Sequence, residues 1–127
     1  MELMRKFTLE VGHHLPKYVG KCARHHGHRV ELFVTITGTP DEETGMIIDF
    51  KDMSEIVNKV IVDQLDHSYL NDIIPNPTAE TMVKFIYNTL YKPFEIMGVL
   101  LWKICLYETE KSSCTYDYTD YMDECLI

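Results

Sequence analysis

The sequence predicts an α+β protein in which two helices cover one face of a four-stranded antiparallel sheet. Three observations predict it. Period-two apolar alternation comes first, in two stretches. Two stretches of helical spacing follow, and two further strand-like runs close the chain. Strands, then helices, then strands point to segregated layers rather than to alternating parallel units.

Each element has a local reason. Phe7, Leu9 and Val11 alternate with Thr8, Glu10 and Gly12, the mark of a half-buried strand. Pro16 stops regular pairing. From His26 to Thr37, Val30, Leu32, Val34 and Ile36 share one face; Arg29, Glu31, Thr35 and Thr37 share the other, with Phe33 as an exception. Gly38 to Gly45 is a turn-rich loop. Asp49 is the expected N-cap of a helix whose stripe is Met53, Ile56, Val57, Val60, Ile61 and Leu65. Asp66 to Pro75 is a connection. A second helix is expected to open at Asn76-Pro77-Thr78, with proline in its first turn and Met82, Phe85, Ile86 and Leu90 as its stripe. Pro93 and Gly98 are expected to break the chain. A third strand follows from Val99 to Glu108, and a short fourth covers about 115–119.

The chain has 127 residues, the length of one domain, expected over 1–120. The Tyr/Asp-rich tail, 121–127, is expected to be partly loose. With 46% hydrophobic and 25% charged residues the composition is that of a globular protein. Twelve Lys and Arg against twenty Asp and Glu give a net charge of −8, which disfavours general binding to nucleic acid. The longest nearly unbroken apolar run, Ile96 to Trp102, is far below the roughly 20 residues of a membrane span. The N-terminus has no apolar leader, so a cytoplasmic location and reduced cysteines (Cys22, Cys105, Cys114, Cys125) are expected.

Chemistry concentrates in the histidines. There are six, and His13, His14, His25, His26 and His28 crowd the end of the first strand and the start of the second. His26 and His28 have the parity of Val30 and Leu32, and His13 has that of Leu9 and Val11. Side chains two apart on a strand share a face. In an antiparallel hairpin with a loop over about 14–25, these three imidazoles converge on the buried face. Burying unpartnered polar rings is costly, and a metal ion relieves that cost. Three histidines with an open fourth position are the ligand set of a catalytic zinc site, though nitrogen ligation alone leaves other transition metals open. His14 and His25 are off-parity and read as solvated or supporting groups.

Three further candidates stand beside bland alternatives. Cys22 lies in the hairpin loop among Lys21, Arg24 and His25. Positive charge beside a thiol favours the thiolate, so Cys22 is a candidate base or nucleophile. An ordinary loop cysteine is the alternative; a fourth zinc ligand is disfavoured by the tight spacing and the lack of a second Cys pair. The adjacent Asp66 and His67 can orient each other for proton transfer, or simply cap and solvate. Glu108 ends the row Leu100, Trp102, Ile104 and Leu106. It could hold a planar heterocycle through a two-point hydrogen bond, or reach solvent.

The segments Phe7 to Pro16, Lys21 to His28, Gly45 to Phe50, Leu65 to Asn71, Pro77-Thr78-Ala79-Glu80 and Glu108-Thr109 occur in order. Together they resemble the 6-pyruvoyltetrahydropterin synthase/QueD family over about 5–118. The resemblance implies the tunnelling fold (T-fold), in which trimers close a barrel and two barrels stack into a homohexamer with active sites between subunits. It implies zinc on His13, His26 and His28. It makes Cys22 the catalytic cysteine, Asp66 and His67 the proton-relay pair, Glu108 the pterin anchor and Thr78 a substrate contact. The Cys22-x-x-x-His26-Gly27-His28 spacing and the Pro-Thr-x-Glu motif look more like the bacterial 6-carboxytetrahydropterin synthases than the animal enzymes. The implied substrate is 7,8-dihydroneopterin triphosphate, with Lys21, Arg24 and Lys51 as candidates for its phosphates. Val11-Gly12 in place of the commoner Ala-Ala, and His14 in place of a frequent Arg, are departures from the pattern.

Overall fold

The computed structural model describes residues 1–126. Strands β1 (Glu2–His13) and β2 (His26–Thr37) form a long antiparallel hairpin. Helix α1 (Phe50–Val57) runs on without a break through a π-helical turn (Asn58–Val62) and a last turn (Asp63–Leu65). A short strand β3 (Ser68–Tyr69), helix α2 (Ala79–Ile96), strands β4 (Leu100–Thr109) and β5 (Ser112–Asp117) and helix α3 (Tyr118–Cys125) complete the order. The strands form one sheet, β3-β1-β2-β4-β5.

The expected α+β architecture is present, with one change. The sheet is mixed and five-stranded, because Ser68 and Tyr69 pair in parallel with Val11 and Gly12. Two residues carry too little alternation to read as a strand; they are held by the backbone of β1, not by their own pattern.

The core lies between sheet and helices. Leu9, Val30, Leu32, Val34 and Ile36 face Met53, Val57, Ile61 and Leu65 of the first helical run and Met82, Ile86 and Leu90 of α2, all fully or almost fully buried. The Asp49 carboxylate caps α1 by accepting from the Lys51 N–H at 2.8 Å. The hydroxyl of Thr78 caps α2 by accepting from Thr81 N–H at 3.2 Å. Pro77 therefore precedes the cap rather than occupying the first turn, which frees its carbonyl for another use. Helix α2 also passes through Pro93 and ends at Ile96. A proline so near the end removes one backbone donor from the last turns, a loss smaller than that of a break in the helix interior. The stop comes at Gly98, whose positive φ of 82° suits a residue without Cβ.

On β4 the expected row of Leu100, Trp102, Ile104 and Leu106 is not a single face. Thr35 pairs with Lys103 but Ile36 with Leu101, so Trp102 is the extra residue of a bulge. Leu101, Ile104 and Leu106 are the buried set. The fourth expected strand is β5, which starts earlier than position 115. Beyond it the expected loose tail is helical. Asp117 and Asp120 form a reciprocal capping box, and Tyr121 packs on Tyr91 and Tyr87 with ring centres 4.5 and 5.3 Å apart. Aromatic packing orders a segment whose composition alone gave no reason to fold. Ile127, the last residue of that tail, lies outside the described residues.

Candidate functional site

The hairpin register sets the site. His13 is the cross-strand partner of His26, and Val11 that of His28. Paired residues share a face, so the three rings meet at the hairpin's loop end as their parity predicts. Ring centres lie 4.4 Å apart for His13 and His26, 4.8 Å for His13 and His28, and 5.4 Å for His26 and His28. Three imidazoles bound tetrahedrally through nitrogens about 2.0–2.1 Å from one ion would place their centres roughly 5 Å apart.

Tautomers are fixed by backbone oxygens. His13 Nδ1 lies 2.9 Å from the Pro77 carbonyl, and His26 Nδ1 lies 2.9 Å from the Arg24 carbonyl. A carbonyl only accepts, so each Nδ1 carries the hydrogen and each Nε2 offers a lone pair inward. The Nε2 atoms of His13 and His28 are buried with no hydrogen-bond partner. Two unpartnered ring nitrogens in one buried cluster fit metal ligation, and the three ligand atoms lie within 4.8 Å of one another, close enough to hold one metal ion.

Burial favours the neutral form of two of the rings, His13 and His28. Burial is the main effect lowering the pKa of His13 below the ordinary imidazole value, and His26 adds repulsion. Glu108, with Oε1 3.8 Å from His13 Nε2, pulls the other way but does not prevail. Burial likewise lowers His28, and His13 reinforces it. Neutral imidazole is the form that binds metal. Glu108, about one-third exposed, thus borders the imidazole cluster while still reaching solvent, despite the bulge upstream.

Asp66 and His67 form a contact pair at the edge of the same hairpin. His67 Nδ1 lies 3.1 Å from Asp66 Oδ2. The other carboxylate oxygen accepts the Glu10 N–H at 2.8 Å, and the His67 N–H donates to the Glu10 carbonyl at 2.6 Å. His67 has φ 57°, an uncommon left-handed conformation for a residue with a Cβ, which this double tie to β1 sustains. His67 and His28 line one cleft of about 420 Å³ with Gly12 and Gly27.

The Glu10 N–H, and next the His67 side chain, hold the Asp66 carboxyl below the usual carboxylate range. A depressed folded pKa contributes stability above the unfolded pKa and loses it as pH falls through the folded value. Asp66→Asn is therefore expected to be less stable than the parent at pH 7. The gap should persist down to about pH 4, the ordinary carboxylate value, and close at lower pH. Urea unfolding of both proteins across that range reads it; a gap that widens on acidification refutes the assignment.

Cys22 sits in the hairpin loop on a single helical turn (Lys21–Ala23), half-buried, its carbonyl accepting from the Leu15 N–H at 2.7 Å. Among the described residues its thiol makes no hydrogen bond to the three imidazoles. Thr78 stands beside Pro77 and spends its hydroxyl on the α2 cap. Lys21 and Arg24 share the loop with Cys22. Lys51 does not join them: it follows Phe50, whose carbonyl accepts from Arg5, and Arg5 lies eight residues before His13, roughly 26 Å along an extended strand. Within one chain Lys51 is thus remote from the imidazoles. Sequence reasoning missed Pro77 as the oxygen that orients His13; a proline in a connection gives no sign that its carbonyl will be used 64 residues away in the chain.

Fold and site together define a class: a small α+β protein whose sheet carries a buried three-imidazole centre able to hold a metal, with an acid–imidazole pair in the adjoining cleft. Residues 2–119 match the family described as 6-pyruvoyl tetrahydropterin synthase, and the chain belongs to that family. It is 30% identical to a 6-carboxy-5,6,7,8-tetrahydropterin synthase of Haemophilus influenzae, over 91% of this chain and 97% of that protein. It is 32% identical to the 6-pyruvoyl tetrahydrobiopterin synthase of Homo sapiens, over 79% and 72% of the two chains. The structure of the Caenorhabditis elegans 6-pyruvoyl tetrahydropterin synthase superposes with a TM-score of 0.80 at 22% identity, covering 92% of this chain and 94% of that one. The family is one of pterin synthases, and the T-fold is the architecture observed.

Proposed function

We propose that this chain is a zinc-dependent lyase that converts 7,8-dihydroneopterin triphosphate into 6-carboxy-5,6,7,8-tetrahydropterin, acetaldehyde and triphosphate, a step toward queuosine and other 7-deazaguanines in the cytoplasm. The observation that carries the reading is the meeting of His13, His26 and His28 with two buried Nε2 atoms left unpartnered. Similarity to the Haemophilus influenzae protein over nearly both full lengths supports the carboxy product.

Zinc held by these three residues would supply Lewis-acid polarisation of the substrate's side-chain oxygens. The protein's own groups do the rest. Cys22, as thiolate, takes a carbon-bound proton of the substrate side chain. His67, aligned by Asp66 at 3.1 Å, returns a proton. Glu108 accepts two N–H donors of the pterin ring, and Thr78 borders the substrate. Lys21 and Arg24, in the loop, face the triphosphate.

Cys22 and the Asp66–His67 pair serve one site if copies of the chain assemble with active sites between subunits, as a homohexamer of two trimers. Two features favour assembly. Strand β3 covers only Val11 and Gly12, and Asp66 and His67 tie Glu10, which leaves β1 an open edge from Glu2 to Leu9. The helix-free face of the sheet bears a groove of about 520 Å³ lined by Met4, Phe33, Cys105 and Tyr107. Open edges are commonly closed by oligomerisation.

A second reading, in which the product is 6-pyruvoyltetrahydropterin, is favoured by the 32% identity to the human enzyme. Incubation of the zinc-loaded protein with 7,8-dihydroneopterin triphosphate and mass analysis of products separates the two. Acetaldehyde with the carboxypterin is expected. The pyruvoyl product moves the assignment to the second reading, and recovery of unchanged substrate overturns both in favour of a binding protein.

A further inference from the structure

Just past the last rung of the hairpin, His13 with His26, stands a second pair of imidazoles, His14 and His25, one residue out of step with the first centre. His14 and His25 have ring centres 4.6 Å apart, with planes 17° from parallel. The Nδ1 atoms of both meet the hydroxyl oxygen of Tyr69: the His25 nitrogen at 2.7 Å, the His14 nitrogen in a still shorter contact. Tyr69 comes from β3, and its ring lies beside Gly12, 3.5 Å from where a Cβ at that position would stand. Asn71 fixes the His14 backbone from both sides, accepting its N–H at 2.9 Å and donating to its carbonyl at 3.0 Å. Three donor atoms from three segments therefore converge on a point that the pterin site does not use.

We infer that His14, His25 and Tyr69 form a second metal site, an N,N,O set for a divalent ion of the copper or nickel kind, distinct from the three-imidazole centre. Two imidazoles held at right angles about 2.0 Å from one ion bring their ring centres to roughly 4.5 Å, close to the separation seen here. Neighbouring ligand atoms around such an ion lie about 3 Å apart, near the Tyr69–His25 contact. Mixed nitrogen and oxygen donors suit a tetragonal ion better than tetrahedral zinc. On binding, the phenol proton of Tyr69 passes to solvent and the oxygen becomes a phenolate ligand. Parity separates the two centres: His14 follows the last residue of β1 and His25 precedes the first of β2, so each is one residue out of step with His13 and His26.

The test uses the full chain with its first centre loaded with zinc, then titrated with Cu²⁺ and dialysed. Metal analysis is expected to give one copper per chain in addition to the zinc, with a visible phenolate-to-copper absorption band. His14→Gln and His25→Gln are each expected to weaken copper binding by at least about 100-fold while keeping the zinc and the far-ultraviolet circular dichroism of the parent. Tyr69→Phe should abolish the band and leave weaker binding. Zinc alone with no added copper, copper that merely replaces zinc, or copper binding unchanged in both Gln variants overturns the site. Because the readouts are metal content and absorption, they stand apart from the pterin reaction; loss of catalysis alone decides nothing about them.

Discussion

His28→Ala is expected to lose its zinc. The parent should purify or reconstitute with about one zinc per chain. The variant should bind at least 100-fold more weakly, since removal of groups that merely orient a ligand already costs about 10–100-fold. His28 is the informative choice because its Nε2 is buried without a hydrogen-bond partner. In the metal-free protein, deleting it removes an unsatisfied polar atom rather than a bond, so apo stability is expected to hold or rise. In the zinc-loaded proteins the order reverses, because the parent gains the linkage energy of binding and the variant does not. Elemental analysis together with thermal melts, with and without a chelator, reads both signs. Unchanged zinc content in His28→Ala removes the three-imidazole centre from consideration.

Cys22→Ala is expected to slow turnover by about 10²–10⁴-fold, the usual value of a positioned proton-transfer group. Zinc content should stay at the parent level, and the loss should fall on kcat rather than KM, as for an interaction made only in the transition state. Cys22 is half-buried in a loop and its side chain supports no part of the core, so the fold gives no reason for collapse. A variant that turns over at the parental rate assigns proton removal to another group.

The legibility of this protein was uneven. Parity placed His13, His26 and His28 on one face before any tertiary information, because alternation in a strand is a property of the backbone itself. The hairpin loop at 14–25 is the connection that joins the last paired rung, His13 with His26. The cap Asp49 is readable for the same local reason, whereas the expected first-turn proline, Pro77, lies before the Thr78 cap. The row ending at Glu108 was misread at Trp102, since a bulge is imposed by the partner strand and shifts parity without leaving a mark in composition. The order of the tail is not legible in its composition because Tyr121 packs on Tyr87 and Tyr91 of α2, thirty residues and more away in the chain.

The same division runs through the candidate centre. By itself the sequence determined which histidines the hairpin turns inward, so that His13, His26 and His28 share one face and His14 and His25 fall off its parity. Only the tertiary structure decided which nitrogen of His13 points to the centre, since Pro77 sets it from the start of a distant helix. It also decided that Glu108 stands 3.8 Å from that ring, and that Tyr69 closes the outer pair. Strand alternation is dictated by neighbours along the chain, whereas tautomers, bulges and cross-segment ligands depend on hydrogen bonds and packing between residues that meet only when the chain is folded.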